Sequence, residues 1–378
     1  MSDKNNVNTN AGPGNVPSVN VRTAVMRLSD MYCSVIKNGA DLDTIPSVML
    51  WGAPGVGKSQ GVRQIASKIE AVTGRHVQVT DVRLLLFNPI DLRGIPTANE
   101  DKTLAVWLRP QIFDMDPSDE VINILFLDEI SAAPQSVQAA AYQITLDRTV
   151  GEHKLPDNCI VIAAGNRVTD RSVAYRMPKA LANRLLHLEV TSDAESWEAW
   201  AVAHGINEKV TGFLSFKPDK LMGFDASADD LAFATPRAWE AVSNLLNNVC
   251  DDIDSIFTLI AGIIGIGTAA ELRTWSRIYD KLPDIEGIFN GTETRVPTGV
   301  DALYALVSSM SKYASEHRDN VDAIANSIAY AEILPPDFSV VLMQNYMNIE
   351  EGYTERLMRI PGFVRWMRSR GALLNGLR

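Results

Sequence analysis

Apolar positions along this chain change their spacing at two places, and those changes divide it. From Val21 to about Lys37 they fall at Val25, Met26, Leu28, Met31, Tyr32 and Ile36, which is helical spacing, and Asn38-Gly39 ends the run. Short apolar runs and helical stretches then alternate. Val48–Leu50, His76–Val82, Val121–Leu127, Cys159–Ala164 and Leu185–Val190 read as five strands. Val62, Ile65, Ala66 and Ile69, and later Ala139, Ala140, Ile144 and Leu146, carry the helical period between them. Val121–Leu127 is apolar almost throughout, as in a strand buried on both faces. This predicts an α/β region over residues 21–191, a parallel five-stranded sheet flanked by helices.

Beyond Thr191 the pattern is helical only. Ser192 with Glu195 reads as a capping box opening a helix to about His204. Thr235-Pro236-Arg237 opens another, to about Val249, and Asp251–Tyr279 is a third helical stretch broken near Gly265–Gly267. Lys281–Pro297 reads as a linker or exposed loop. Helices follow over Asp301–Ala314, Val321–Ala331, Phe338–Met347 and within Tyr353–Leu377. Residues 1–20, rich in Asn, Gly, Pro and Ser, are expected to be disordered.

Between the first strand and its helix lies Gly52-Ala53-Pro54-Gly55-Val56-Gly57-Lys58-Ser59-Gln60, containing G-x-x-x-x-G-K-S. A strand, a glycine-rich turn and a helix form the context in which this motif cradles phosphates. Gly55 and Gly57 let backbone N–H groups close on phosphate oxygens, and the helix adds the positive end of its dipole. Lys58 would reach the β- and γ-phosphates, and Ser59 would bind Mg²⁺. Asp128-Glu129 end the buried third strand, the sheet edge where ligands of open α/β sheets sit. With a phosphate loop upstream, Asp128 would hold the Mg²⁺ shell and Glu129 would polarise the attacking water. Asn166, at the tip of the fourth strand, could orient that water; Gly165-Asn166 is also a common turn pair. His187 reads as a packed strand histidine.

Two insertions interrupt the alternation. Phe87–Pro96, Thr97–Lys102 and Leu104–Leu108 read as a turn and a polar-tipped hairpin before a helix starting at Arg109-Pro110. Thr149–Pro156, bent at Gly151, reads as a second hairpin. The first is either a plain surface excursion or a loop presented to a partner.

The net charge of −11 and pI near 5.0 disfavour non-specific attraction to DNA or anionic lipid. Cys33, Cys159 and Cys250 form no C-x-x-C pair or His/Cys cluster, so neither a disulfide frame nor a zinc site is indicated, and a reducing cytoplasm fits best. The longest apolar run, Ile256–Ile266, is too short to span a bilayer. No Asn-Lys-x-Asp guanine motif occurs.

Over about residues 20–280 these motifs resemble the AAA+ ATPases and, within them, the MoxR-like (helix-2-insert) group. Gly52–Ser59 resembles Walker A, Ile124–Glu129 Walker B, and Asn166 sensor 1. Pro178–Leu185 is similar to the segment carrying the arginine finger, which assigns that role to Arg184, with Arg171 and Arg176 as rivals. Arg237 resembles sensor 2, Asn88–Phe113 the helix-2 insert, and Thr149–Asp157 the pre-sensor-1 hairpin. Leu185 stands where the group often has Phe, and Asn166-Arg167 where it often has Asn-Pro.

The resemblance implies a P-loop NTPase fold whose helical lid spans residues 192–280, with residues 281–378 a helical C-terminal extension outside the common core. It implies a homo-oligomer, usually a hexameric ring, hydrolysing ATP with Mg²⁺ and remodelling a protein partner, which could carry a von Willebrand factor A domain. The alternative is a motor subunit of a nucleic-acid-processing complex. Membrane association is not expected.

Overall fold

Residues 11–12, 16–167, 177, 179–278 and 281–371 are described by a computed structural model. Its first unit comprises residues 1–192 with 225–229. Strand β1 (Ala11–Gly12) pairs antiparallel with β2 (Val16–Asn20). Asn20 caps helix α1 (Val21–Lys37), its side chain accepting from the Thr23 N–H at 2.8 Å. β3 (Val48–Trp51) runs into α2 (Lys58–Thr73), which ends at Gly74 in the left-handed region. After β4 (His76–Arg83) come the short α3 (Pro89–Arg93) and a hairpin of β5 (Ile95–Ala98) and β6 (Ala105–Leu108). β7 (Val121–Asp128), α4 (Gln135–Asp147) and a small hairpin, β8 (Thr149–Val150) with β9 (His153–Lys154), follow. β10 (Cys159–Gly165), α5 (Lys179–Ala182) and β11 (Leu186–Thr191) complete the unit.

The sheet order is β1-β2-β11-β3-β10-β7-β4, and every pairing except β1 with β2 is parallel. Six parallel strands therefore replace the five expected. The addition is β2, within residues expected to be disordered. Only Val16 and Val19 of Val-Pro-Ser-Val-Asn are aliphatic, too few for a periodic signal; the strand is specified by pairing with β11, Val19 opposite Val190.

The central strands feed two cores. Ile124 and Phe126 of β7, with Ile160 and Ile162 of β10, pack with Leu28 of α1 and Val62, Ile65 and Ile69 of α2. Leu125 and Leu127, with Val161 and Ala163, face Val137, Ala141 and Ile144 of α4. Alternate residues of one strand thus enter opposite layers, which explains why these runs are apolar without a break.

The two insertions touch each other. The Trp107 N–H of β6 donates to the Glu152 carboxylate at 2.9 Å, and the His153 ring donates from Nε2 to the Trp107 carbonyl at 2.7 Å. The helix expected at Arg109-Pro110 is a single 3₁₀ turn, Gln111–Phe113, because Asp116-Pro117 disfavours continued helix and Asp116 instead accepts from the Ser118 N–H at 2.8 Å.

The second unit, residues 193–224 with 230–378, is helical among its described residues. It contains α6 (Ala194–Ala203), α7 (Glu208–Phe216), α8 (Pro236–Asn248), α9 (Phe257–Ile264), α10 (Ile266–Ser276), α11 (Ile285–Phe289), α12 (Val300–Glu316), α13 (Val321–Ala331), α14 (Pro336–Met347), α15 (Tyr353–Leu357) and α16 (Pro361–Arg370). Thr235 caps α8 as expected, accepting from the Ala238 N–H at 3.0 Å. The cap of α6 is Asp193 rather than Ser192, and α7 is an addition to the helices expected. The 251–279 stretch holds two helices parted by Gly265 at φ 85°. Lys281–Pro297 is no bare linker, since α11 buries Ile288 and Phe289. Segments expected as lid and extension are joined here: Thr211 of α7 and Ser308 of α12 share a hydrogen bond of 2.6 Å. No described helix is long and apolar enough to cross a membrane.

Candidate functional site: a phosphate loop with paired acids

The site forms where β3, β7 and β10 lie side by side and end together. β3 stops at Trp51 and the chain turns at Gly52, where a Cβ would come within 2.5 Å of the Val190 carbonyl oxygen. Ala53 and Val56 are buried and Gln60 is exposed, with Pro54, Gly55, Gly57, Lys58 and Ser59 in between. Gly55 at φ 75° and Gly57 at φ 107° supply left-handed steps that side chains resist. Gly57 begins α2 without a side-chain cap, so no side chain competes at the N-terminal N–H groups that can receive an anion.

Lys58 lies back over its own loop. Its Nζ donates to the carbonyls of Gly52 at 2.7 Å and Ala53 at 3.1 Å, and to Asn166 Oδ1 at 3.1 Å. Next to it the Ser59 hydroxyl donates to Asp128 Oδ2 at 2.8 Å. The loop's ammonium and hydroxyl therefore each meet a group from a different neighbouring strand. The registers Gly165 opposite Trp51 and Ala163 opposite Leu127 bring these strand ends together.

Glu129 has φ 59°, one of the few non-glycine residues on the left-handed side. Such backbone costs about 1–3 kcal/mol and persists where the surroundings hold it. Here the Glu129 N–H donates to Asp128 Oδ1 at 2.8 Å, its carbonyl accepts from the Ala132 N–H at 3.0 Å, and the Ile130 N–H donates to the Ala164 carbonyl at 3.0 Å. The kink turns Glu129 off the strand line, beside Asp128 rather than opposite it.

Further residues serve the site although their place in the sequence assigned them no role in it. Ser131, buried, accepts the Asn166 N–H at 2.9 Å, and Gly165 leaves it room: a Cβ there would come 2.9 Å from the Ser131 hydroxyl. Arg167, the departure from Asn-Pro, pairs with the buried Glu189 of β11. Trp51 donates to His187 Nδ1 at 2.9 Å, so His187 is engaged by polar partners rather than merely packed. A serine two places after Asp-Glu was the only local hint; the other pairs join residues too far apart to suggest one another.

Gly52–Ser59, Asp128, Glu129 and Asn166 are thus gathered. Arg184 is exposed on the turn between α5 and β11, and it has no hydrogen bond or ion pair among the described residues. Its rivals Arg171 and Arg176, with Pro178, lie outside the described residues. Arg237 belongs to the second unit, exposed in the first turn of α8. No group of three or more metal-binding side chains occurs among the described residues.

Residues 47–187 match the ATPase family associated with various cellular activities (AAA). No curated protein matches the chain. Among solved structures it is similar to a point mutant of RuvB from Thermotoga maritima, with 14% identity over 76% of this chain and 82% of that one and a TM-score of 0.34. It is similar also to a chain of the HORMA:CdnC:Trip13 complex of E. coli MS115-1, with 16% identity, coverage of 70% and 89%, and a TM-score of 0.37. NtrX from Brucella abortus with ATP gives 13% identity, coverage of 93% and 68%, and a TM-score of 0.36. Scores this low add nothing to what strand order and loop geometry show. The matched segment, however, contains the phosphate loop, both acids, Asn166 and Arg184. Residues 47–187 resemble that ATPase family and hold the phosphate loop and paired acids together, so the chain is an enzyme that hydrolyses nucleoside triphosphates.

Proposed function

We propose that this chain is a MoxR-like, Mg²⁺-dependent ATPase that works as a ring, six-membered by resemblance, and remodels or activates a protein partner. The observation that carries the chemistry is the convergence of Lys58 with Asn166 and of Ser59 with Asp128 beside Glu129. ATP is favoured over GTP because the guanine motif is missing from the sequence.

The Ser59 hydroxyl and the Asp128 carboxylate, 2.8 Å apart, are hard oxygen donors of the kind Mg²⁺ accepts while keeping several waters. An ion held by these two groups would supply positive charge against the negative charge that develops on the transferring phosphoryl group. Lys58 exchanges the Gly52 and Ala53 carbonyls for phosphate oxygens. Glu129 takes the proton of the attacking water, and the Asn166 amide orients that water. Arg184, exposed and uncommitted, reaches the γ-phosphate held by a neighbouring copy, an effect worth about 10³ to 10⁵ in rate. Arg237 reports nucleotide state from the helical unit.

The protein-partner reading is supported by the two hairpins, which are braced on each other through both backbone groups of Trp107. The partner chemistry that fits the resemblance is a von Willebrand factor A domain. Glu129→Gln tests the whole reading: ATP binding survives, turnover falls about 10² to 10⁴-fold, and the ATP-bound form retains its protein partner in pull-downs. Undiminished hydrolysis would refute the site, and stimulation of wild-type hydrolysis by DNA would favour a nucleic-acid machine.

A further inference from the structure

A hydrogen-bonded relay crosses the sheet edge from the phosphate loop to the turn that bears Arg184. Trp51, immediately before Gly52, donates from its indole Nε1–H to His187 Nδ1 at 2.9 Å. The two ring planes lie within 19° of parallel, with centroids 6.1 Å apart. On its other side, His187 Nε2 is 2.8 Å from the carbonyl oxygen of Ala182.

The indole N–H can only donate and the carbonyl can only accept, so the imidazole carries its proton on Nε2 and both ring nitrogens are used. Ala182 ends α5, where carbonyls lack helical partners. Its oxygen also accepts from the Leu185 N–H at 3.2 Å, closing the turn Asn183-Arg184. His187 therefore holds the base of the turn from which Arg184 projects. At the relay's other end, the Gly52 carbonyl adjoining Trp51 is one of the two loop carbonyls that receive Lys58. The same strand face presents Glu189 to Arg167, next to Asn166. β11 is thus tied to both sides of the phosphate site.

We propose that His187 is a positioning residue: through Trp51 and the Ala182 carbonyl it sets the Arg184 turn against its own subunit's phosphate loop, and so couples that loop to the arginine offered to the neighbouring copy. The proposal rests on the reading of Arg184 as acting across a subunit boundary. A histidine that merely filled space would need neither polar contact, and its effect would stay within its own subunit.

Subunit mixing separates these cases. His187→Ala should lower kcat about ten- to a hundredfold, the scale of a small misplacement of a reacting group, with nucleotide affinity within about twofold of wild type. Trp51→Phe keeps the ring but lacks the N–H, so it should reproduce the effect even if the alanine variant folds poorly. Glu129→Gln subunits have a silent site and an intact Arg184. Mixed one to one with Arg184→Ala subunits before ATP is added, they should restore turnover at the hybrid interfaces, and mixed with His187→Ala or Trp51→Phe they should restore it as well. Rescue of Arg184→Ala without rescue of the other two would overturn the relay and leave the trans arginine standing. Failure to rescue Arg184→Ala would overturn both. Unchanged kcat in His187→Ala and Trp51→Phe would overturn the relay alone.

Discussion

Ser59 and Asp128, 69 positions apart in the chain, share a 2.8 Å hydrogen bond that joins the first turn of α2 to the end of β7. Oriented toward the carboxylate, the hydroxyl proton keeps Asp128 aimed at the loop. A divalent cation held here would use the Ser59 hydroxyl lone pairs, which the donated hydrogen bond leaves free, and would draw on the same Asp128 carboxylate.

Ser59→Ala should accordingly leave the fold intact and weaken Mg²⁺ affinity, raising the Mg²⁺ concentration that hydrolysis needs. Hydrolysis should fall at least about tenfold at limiting Mg²⁺, the scale of one charge-assisted contact. A titration of activity against Mg²⁺ checks this; an unchanged half-saturation point would exclude Ser59 from the ion's shell.

Asn166 is held from behind, by Ser131, and from the front, by Lys58. On the proposed role of its amide in orienting water, Asn166→Ala should reduce kcat by about ten- to a hundredfold with little change in nucleotide affinity. Ser131→Ala should produce a smaller fall of the same kind, by freeing the Asn166 N–H. Equal losses of affinity and turnover would instead assign Asn166 to nucleotide binding.

Gly52 and Gly74 offer a contrast. A methyl on Gly52 would collide with the Val190 backbone, whereas one on Gly74 meets nothing within 4 Å. Gly52→Ala should cost about 1–3 kcal/mol and displace the loop, with loss of ATP affinity. Gly74→Ala, strained only by its φ of 69°, should cost about 1–2 kcal/mol and leave affinity unchanged. Denaturation midpoints and equilibrium nucleotide binding on both variants distinguish the two effects.

In the helical unit, burial pushes the Glu198 carboxyl above its ordinary range, against the opposing hydrogen bond from Ser215 at 2.6 Å. The folded state then binds this proton more tightly than the unfolded state. The associated stability is complete below the ordinary glutamate value and is lost as pH rises through the raised one. Glu198→Gln, which still accepts from Ser215, should raise the melting temperature at about pH 8 and have no effect at about pH 4, below the ordinary value. A uniform gain at both would show that charge is not the cause.

Cys159 is fully buried and its thiol is pushed up to about 12, while burial also raises that of Cys33. The thiolate is the reactive form. Iodoacetamide should therefore label the half-buried Cys250 first, with Cys159 modified only on unfolding. Mass mapping of early adducts decides it; rapid labelling of Cys159 would mean that the sheet opens.

Much of the nucleotide site could be read from the chain because its signals are local. The glycines and lysine of the loop occupy consecutive positions, and the acids directly follow the strand that aims them. The helical period likewise announced α1, α2 and α4. Two readings in the first unit failed, each for its own reason. β2 lacks periodic apolar residues and exists through its pairing with β11, and the helix expected after Arg109 yields to the Asp116-Pro117 turn.

The sequence alone marked which residues are candidates to bind phosphate and activate water, since backbone freedom, charge and strand character are properties of short stretches. Tertiary structure decided their relations: Lys58 on Asn166, 108 positions on, and Trp51 on His187, 136 positions on. Parallel neighbours in a sheet must be joined by long crossovers, so groups that touch at its edge are far apart in the chain. No local pattern encodes which of them will meet.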